Sequence, residues 1–134
     1  PDKVRAALGA AHLRARRVLA VFQLHGYFPA RFLKDEFISA FAEALAPGDA
    51  LWLADIYYVG GTTAKDVSPE DIAAPLRARG RDARYVSDRR AVLAEIVRAA
   101  RPGDLILVMG ARDPGLAGFA RAVLAELGAR AQRA

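Results

Sequence analysis

Short apolar runs alternate along this chain with longer stretches in which apolar residues recur at helical spacing. The short runs lie at 17–23, 50–56, 84–86 and 105–109. Three of them are almost continuously apolar, which is typical of strands that are buried on both faces of a parallel sheet. The longer stretches lie at 2–14, 30–45, 69–79, 88–100 and 115–128. Strands that alternate with helices predict an α/β fold: an open, mostly parallel, Rossmann-like sheet with helices on both faces.

Prolines and glycines punctuate this pattern. The sequence Pro-Gly-Asp occurs at 47–49 and again at 102–104, and each copy predicts a tight turn that returns a helix to the sheet. Pro75 conflicts with its surroundings, because a proline inside a helix removes a backbone donor. The helix at 69–79 is therefore expected to be kinked or to have a broken first half.

The composition describes one domain of ordinary size. A chain of 134 residues buries roughly two-thirds of its unfolded surface, and we expect residues 1–134 to form a single domain. The absence of cysteine excludes disulfides, thiolate metal sites and a thiol nucleophile. No apolar run approaches the ~18 residues of a membrane span, and the first residues lack a signal-peptide pattern. We therefore expect a soluble, cytoplasmic protein with no membrane partner.

The excess of basic over acidic residues does not indicate nucleic-acid binding. The net charge is +5, but 17 of the 20 basic residues are arginine and alanine occurs 30 times, a pattern typical of a GC-rich genome. The arginines are spread along the chain with acidic residues between them. A nucleic-acid interface would instead concentrate them on one face among stacking aromatics. We expect no nucleic-acid partner.

The segments that follow the predicted strands are the candidate ligand sites, because ligands of open α/β sheets bind at the carboxyl ends of the strands. These segments are 23–31, 57–65 and 110–115. The second is longer than the ~2–6 residues of an ordinary connection, which is typical of a functional loop or of a disordered surface loop. Its candidate ligand-facing residues are Tyr57, Gly60 and Gly61.

The first and third segments contain the remaining candidates. His25, with Tyr27 and Arg31 close by, is either a ligand-binding residue or a loop hydrogen-bonding residue. Backbone N–H groups near Arg112 are suited to bind an anion, but the pattern favours the simpler interpretation in which Asp113 caps the following helix. No Gly-Lys-Thr or Gly-Lys-Ser phosphate loop occurs. With two histidines and no cysteine we expect no metal site, and no residues form a self-sufficient catalytic apparatus.

Three runs, in this order, resemble those of the C-terminal domain of the Mur ligases: VFQLHGY at 21–27, DIYYVGG at 55–61 and DLILVMGA at 104–111. In that family the first strand leads into Phe-Gln-Pro-His-Arg-Tyr, the second into a Val-Tyr-x-Ala-Gly loop, and the last into Gly-Ala-Gly. The resemblance covers about 1–128. It is greatest to those Mur ligases that join L-alanine, or a recycled murein tripeptide, to UDP-N-acetylmuramate.

The resemblance implies that residues 1–134 are the C-terminal domain of a three-domain enzyme of peptidoglycan synthesis. The N-terminal and central domains would be its partners and would bind the UDP-sugar and, through a phosphate loop, ATP with Mg²⁺. The enzyme would form an acyl phosphate on UDP-N-acetylmuramate, which the amine of L-alanine, another amino acid or a peptide then attacks. The C-terminal domain would hold the amino acid as a lid and would be inactive alone.

The family motif assigns His25, Tyr27 and Arg31 to the loop that holds the amino acid. Gly26 and Pro29 stand where the family has two further arginines, which leaves the identity of the amino acid open. A different class of function also remains open. In that alternative the chain is a stand-alone α/β binding or regulatory module, with the loop at 57–65 as its partner-binding surface.

Overall fold

The structure is a computed structural model that describes residues 1–57, 66–110 and 113–133. Helices and strands alternate along the described part of the chain. They are α1 (Asp2–His12), β1 (Val18–Gln23), α2 (Tyr27–Phe32), α3 (Lys34–Ala44), β2 (Ala50–Leu53), α4 (Glu70–Ala78), β3 (Asp82–Tyr85), α5 (Arg89–Ala99), β4 (Leu105–Gly110) and α6 (Gly115–Arg133).

The four strands form one parallel sheet in the order β3–β2–β1–β4. β4 pairs with β1 along its whole length, from Val18–Leu105 to Gln23–Gly110. The chain therefore builds the sheet outward from β1 through β2 to β3, and then returns to the other side of β1 for β4. The strand order reverses between β1 and β4, and this is where a ligand crevice is expected.

Helices cover both faces of the sheet, as predicted. Residues of α1, α3 and α4 pack on one face, around the fully buried ring of Phe41. Residues of α5 and α6 pack on the other face, against Trp52 of β2 and Leu19 of β1. Alternate residues of the central strands thus enter opposite cores, which explains why β1 and β2 are buried along their whole length.

The Pro-Gly-Asp turns also form as predicted. In each turn the aspartate N–H donates to the carbonyl three residues earlier at 3.0 Å, from Asp49 to Ala46 and from Asp104 to Arg101. The glycines have φ of +92° at Gly48 and +91° in the second copy, which suits the third position of a type II turn. Proline at the second position presets the φ that this turn requires.

Two local predictions were wrong, and one of the two outcomes expected at Pro75 does not occur. The stretch at 30–45 is not one helix, because α2 ends and α3 begins at Leu33, whose φ of −102° and ψ of 12° interrupt the helix. The apolar run at 105–109 forms β4, an edge strand that is only half-buried because it pairs on one side within the described sheet. The helix α4 continues through Pro75 without a broken first half. Asp71, the residue whose carbonyl loses its donor, is exposed, so water can bind that carbonyl.

Candidate functional site

A cleft of about 470 Å³ lies where the strand order reverses. Its floor is formed by the carboxyl ends of β1 and β4, at Gln23 and Gly110, and its walls by the first turn of α1 and by Phe37 of α3. The lining is mostly apolar, and His25 is part of it. An apolar cleft with a few polar groups at a reversal of strand order has the features of a ligand site.

The loops after β1 and β2 are joined beside this cleft. His25 and Tyr57 form an isolated parallel bridge. The Gly26 N–H donates to the Tyr57 carbonyl at 2.9 Å, and the Tyr57 N–H donates to the Leu24 carbonyl at 2.8 Å. The two rings are tilted, with their centroids 5.7 Å apart. The structure therefore brings together two of the sequence candidates, His25 and Tyr57.

Tyr27 and Arg31 belong to α2, the short helix that follows this loop. Arg31 is exposed, and its Nη1 donates to Asp66 Oδ1 at 2.6 Å. This hydrogen bond lowers the pKa of the Asp66 carboxyl below its ordinary value of 3.8. The Arg31 guanidinium also lies 6.0 Å from the centroid of the Phe28 ring. The cation expected to bind a carboxylate thus already contacts one from the protein.

A second cluster of polar side chains lies at the carboxyl ends of β2 and β3. Asp55 accepts a hydrogen bond from the Tyr85 hydroxyl and another from Ser87 Oγ, the latter at 2.5 Å. The hydrogen bond to Asp55 raises the pKa of the Tyr85 phenol above its ordinary value of 10.0, and burial and the nearby Tyr27 act in the same direction. The Tyr85 hydroxyl therefore stays protonated and donates to Asp55 at neutral pH.

Gln23, the last residue of β1, connects the four strand ends. Only 7% of this residue is exposed. Its Nε2 donates to the Asp55 carbonyl after β2 at 3.0 Å, and its Oε1 accepts from Arg89 Nη2, at the start of α5, also at 3.0 Å. Arg89 Nη2 donates as well to Asp113 Oδ2, just before α6. We call Gln23, Asp55, Arg89 and Asp113 the strand-end network.

Asp113 is charged within this network. Burial raises the pKa of its carboxyl, but hydrogen bonds from the Gly115 N–H, from Arg89 and from Gln23 lower it, and the balance lies below the ordinary value of 3.8. The Gly115 N–H lies 2.8 Å from Asp113 Oδ1. Asp113 therefore caps α6, as one of the two sequence interpretations predicted. It also pairs with Arg89, which the sequence did not predict.

Some expected features lie outside the described residues or are not found within them. Gly60, Gly61 and Arg112 belong to the former, so the loop at 57–65 and the anion-binding interpretation remain predictions. Within 1–57, 66–110 and 113–133, no group of three or more His, Cys, Asp or Glu residues is arranged to hold a metal ion. No helix in that part of the chain is long and apolar enough to cross a membrane.

Comparison with known proteins identifies the family. The profile of the family described as "Mur ligase, glutamate ligase domain" matches residues 1–112. The chain belongs to the Mur ligases. The match spans β1 to β4, and so includes the cleft and the joined loops. The predicted resemblance to the C-terminal domain of Mur ligases is confirmed.

Individual relatives agree with this assignment. A UDP-N-acetylmuramate–L-alanine ligase of Gloeobacter violaceus is 39% identical over 111 residues, which are 83% of this chain and 23% of that protein. The protein of the same name from Pelotomaculum thermopropionicum is 37% identical over 121 residues, which are 89% of this chain and 25% of that protein. The chain thus spans about a quarter of the length of these curated Mur ligase relatives.

A solved structure shows the same fold. It is the crystal structure of a domain of a protein described as a UDP-N-acetylmuramate:L-alanyl-γ-D-glutamyl-meso-diaminopimelate ligase, from Haemophilus ducreyi 35000HP. The TM-score is 0.61 at 18% identity, and the match covers 95% of this chain and 83% of that one. The α/β fold of the Mur ligase chain is therefore confirmed by a second, independent comparison.

The sequence candidates of this Mur ligase domain did not include the strand-end network. Two signals pointed to it. Gln23 is the one strongly polar residue at the end of an otherwise apolar strand. Arg89 and Arg90 open the helix α5, where the positive end of the helix dipole disfavours cations. A local rule broken beside a strand end is typical of a functional or strained site.

Proposed function

We propose that residues 1–134 are the C-terminal domain of a three-domain ATP-dependent ligase that joins an amino acid or peptide to UDP-N-acetylmuramate in peptidoglycan precursor synthesis. The observation that carries the proposal is the meeting of the loops after β1 and β2, where His25 pairs with Tyr57 beside the cleft. The names of the relatives supply the reaction class. In this proposal the domain holds the amino acid and closes over the acyl phosphate as a lid.

We assign the binding of ATP and Mg²⁺ mainly to parts of the enzyme other than this chain. The chain has no Gly-Lys-Thr or Gly-Lys-Ser sequence, and its described residues include no cluster suited to a metal ion. The sequence therefore lacks a phosphate loop for ATP, and the described residues do not fit a metal ion. The N-terminal and central domains are the partners that would bind the nucleotide, the metal and the UDP-sugar, and the domain alone would be inactive. An enzyme that uses these substrates would be cytoplasmic.

Three residues would contact the amino acid. His25 lines the cleft, Tyr27 begins the helix that follows it, and Arg31 supplies a guanidinium suited to grip a carboxylate with parallel hydrogen bonds. The substrate carboxylate would share Arg31 with Asp66 or displace it, since a guanidinium has five N–H donors. With Gly26 and Pro29 at the family's other arginine positions, the substrate is L-alanine, another amino acid or a peptide.

The test is a kinetic comparison in the complete product of the gene. The wild type is assayed for ATP-dependent phosphate release with UDP-N-acetylmuramate and a panel that includes L-alanine, other amino acids and the murein tripeptide. We expect Arg31→Ala to raise the KM for the amino acid much more than the KM for ATP, because it removes a carboxylate contact. Arg79→Ala is the matched control, because Arg79 is exposed after α4, at the opposite edge of the sheet.

Two results would contradict the proposal. An unchanged amino-acid KM in Arg31→Ala would show that Arg31 is only a surface residue. A complete gene product without ligase activity toward any amino acid or peptide of the panel would refute the enzyme assignment and favour a binding or regulatory module with this fold.

A further inference from the structure

Arg89 holds together two strand ends that are remote in sequence. Its Nη2 donates to Gln23 Oε1 at the end of β1, which is 66 residues earlier, and to Asp113 Oδ2 after β4, which is 24 residues later. The side chains of Arg89 and Asp113 are 34% and 10% exposed. Arg89 therefore spans the reversal point between β1 and β4, from the face of the sheet that α5 and α6 cover.

The position of Arg89 is locally unfavourable. It is the first residue of α5, and no acidic residue lies in that first turn. A cation at a helix N-terminus opposes the helix dipole. The cap of α5 does not need it, because Asp88 Oδ1 accepts the Arg90 N–H at 2.9 Å. Arg89 thus stabilises the contact between the strand ends rather than its own helix.

Two glycines leave room for this arrangement. A Cβ at Gly110 would lie 3.2 Å from the Gln23 carbonyl oxygen and 2.9 Å from Leu116 Cδ2. A Cβ at Gly115 would lie 2.9 Å from Arg89 Nη1. The end of β4 therefore lies directly against Gln23, and the start of α6 lies directly against Arg89, so that neither backbone segment has room for a side chain there.

Gln23 links Arg89 to the candidate site beside the cleft. Gln23 precedes Leu24, whose carbonyl accepts the Tyr57 N–H, and the bridging residue His25 follows directly. The Gln23 amide also binds the Asp55 carbonyl, two residues before Tyr57. Both segments that form the His25–Tyr57 bridge are thus tied to one amide group, and Arg89 binds the oxygen of that amide.

We propose that Arg89 is a positioning residue for the amino-acid site: through Gln23 and Asp113 it fixes the loop at 24–27 relative to the start of α6. The inference rests on the proposed function for the identity of the ligand. Lysine cannot replace Arg89 fully, because the two N–H bonds of Nη2 lie in the guanidinium plane and point in fixed directions, whereas an ammonium group on a flexible stem does not hold them there.

The first measurement needs no ligand. Backbone ¹H–¹⁵N spectra of the 134-residue chain, which contains the cores on both sheet faces, are compared for the wild type, Arg89→Lys and Arg89→Met. We expect both variants to shift the amide signals of 24–27 and of Gly115. Arg90→Met is the matched control, because Arg90 is exposed in the same helical turn and its capping bond uses the backbone, so its shifts should stay local.

The second measurement is kinetic and uses the complete gene product. We expect Arg89→Met to raise the KM for the amino acid by about tenfold or more, as misplacement of a binding loop does, while the KM for ATP stays within about twofold. Arg89→Lys should lie between Arg89→Met and the wild type. If Arg89→Met does not fold, both the spectra and the kinetics are measured with Arg89→Lys instead.

The outcomes separate the inference from the proposed function. Unshifted signals at 24–27, or an unchanged amino-acid KM in an active enzyme, would overturn the positioning role. An equal increase in the KM for the amino acid and in the KM for ATP would also overturn the positioning role, because it would show a general structural defect. If the gene product has no ligase activity, the proposed function fails, and the spectra alone decide whether Arg89 positions the loop.

Discussion

Asp49 is the residue whose replacement should destabilise the amino-terminal edge of the sheet most. Its side chain has no exposed surface. One carboxylate oxygen accepts the Val18 N–H at the start of β1, and the other accepts the Ala46 N–H in the turn before β2, both at 2.8 Å. His12 Nε2, at the end of α1, lies 2.6 Å from the second oxygen. One carboxylate thus joins a helix, a strand and a turn.

The cost of Asp49→Ala follows from the groups it leaves behind. Two backbone N–H donors lose their acceptor, the buried one of Val18 and the part-buried one of Ala46, and each such group costs about 1–3 kcal/mol. We therefore expect the free energy of unfolding to fall by about 2–5 kcal/mol. For a domain of this length that corresponds to a drop in Tm of roughly 3–5 °C for each kcal/mol.

The second Pro-Gly-Asp turn provides a matched control. Asp104 makes the same turn contact, accepting the Arg101 N–H at 2.8 Å, and lies 3.7 Å from Arg17 Nε. Asp104 binds one backbone donor, that of the exposed Arg101, where Asp49 binds two. Even with the lost contact to Arg17, Asp104→Ala should therefore cost only about 1–2 kcal/mol.

The assay is urea unfolding followed by the fluorescence of Trp52, the single tryptophan, which is buried in β2 close to Asp49. The free energy of unfolding should fall with urea concentration at the same slope in the variants and the wild type, so that differences in the midpoints report differences in stability. The reasoning is refuted if Asp49→Ala costs less than about 1 kcal/mol, or if the two aspartates cost the same, because the buried donors would then not set the magnitude.

Two further predictions test the strand ends. Because the folded-state pKa of Asp113 lies below 3.8, its carboxylate stabilises the fold fully above the unfolded-state pKa and loses that contribution as the pH falls through the folded-state value. The stability difference between wild type and Asp113→Asn in urea should thus be larger at pH 6 than below pH 4, and a difference independent of pH would contradict this. Gly110→Ala should destabilise by about 1–3 kcal/mol, because its φ of +152° and its close contacts leave no room for a Cβ. Gly9→Ala, in the open on α1, should stabilise by about 0.5–1 kcal/mol, and equal midpoints in thermal unfolding for both variants would refute the distinction.

The order of elements could be predicted from the sequence because the signals that set it are local. Apolar residues at consecutive positions form β1 and β2, and proline with glycine presets the turns before β2 and β4. The end of α2 could not be predicted in this way. Apolar residues continue at helical spacing through Leu33 to Phe37, so their periodicity alone gives one helix, whereas the backbone leaves the helical region at Leu33.

The place of the candidate site was predictable, but most of its contacts were not. The rule that parallel strands end at one edge of the sheet correctly placed His25 and Tyr57 near each other. That rule does not say which side chains bind at the edge. Arg89 binds Gln23 and Asp113 across separations of 66 and 24 residues, and such pairs depend on strand order, which composition and spacing leave open.

The role of Arg89 nevertheless has one signal in the sequence, which is its position at the start of a helix. An arginine at the first position of a helix gains nothing from that helix, since the dipole opposes it and Asp88 already provides the cap. In an α/β sheet the helix N-termini that follow strands lie at the ligand-binding edge. A cation placed there against local preference can bind acceptors from other strand ends, and in this domain those acceptors are the amide oxygen at the end of apolar β1 and a charged carboxylate before α6. The same combination of a polar residue ending an apolar strand and a cation opening a later helix predicts a strand-end network wherever strand order brings the two together.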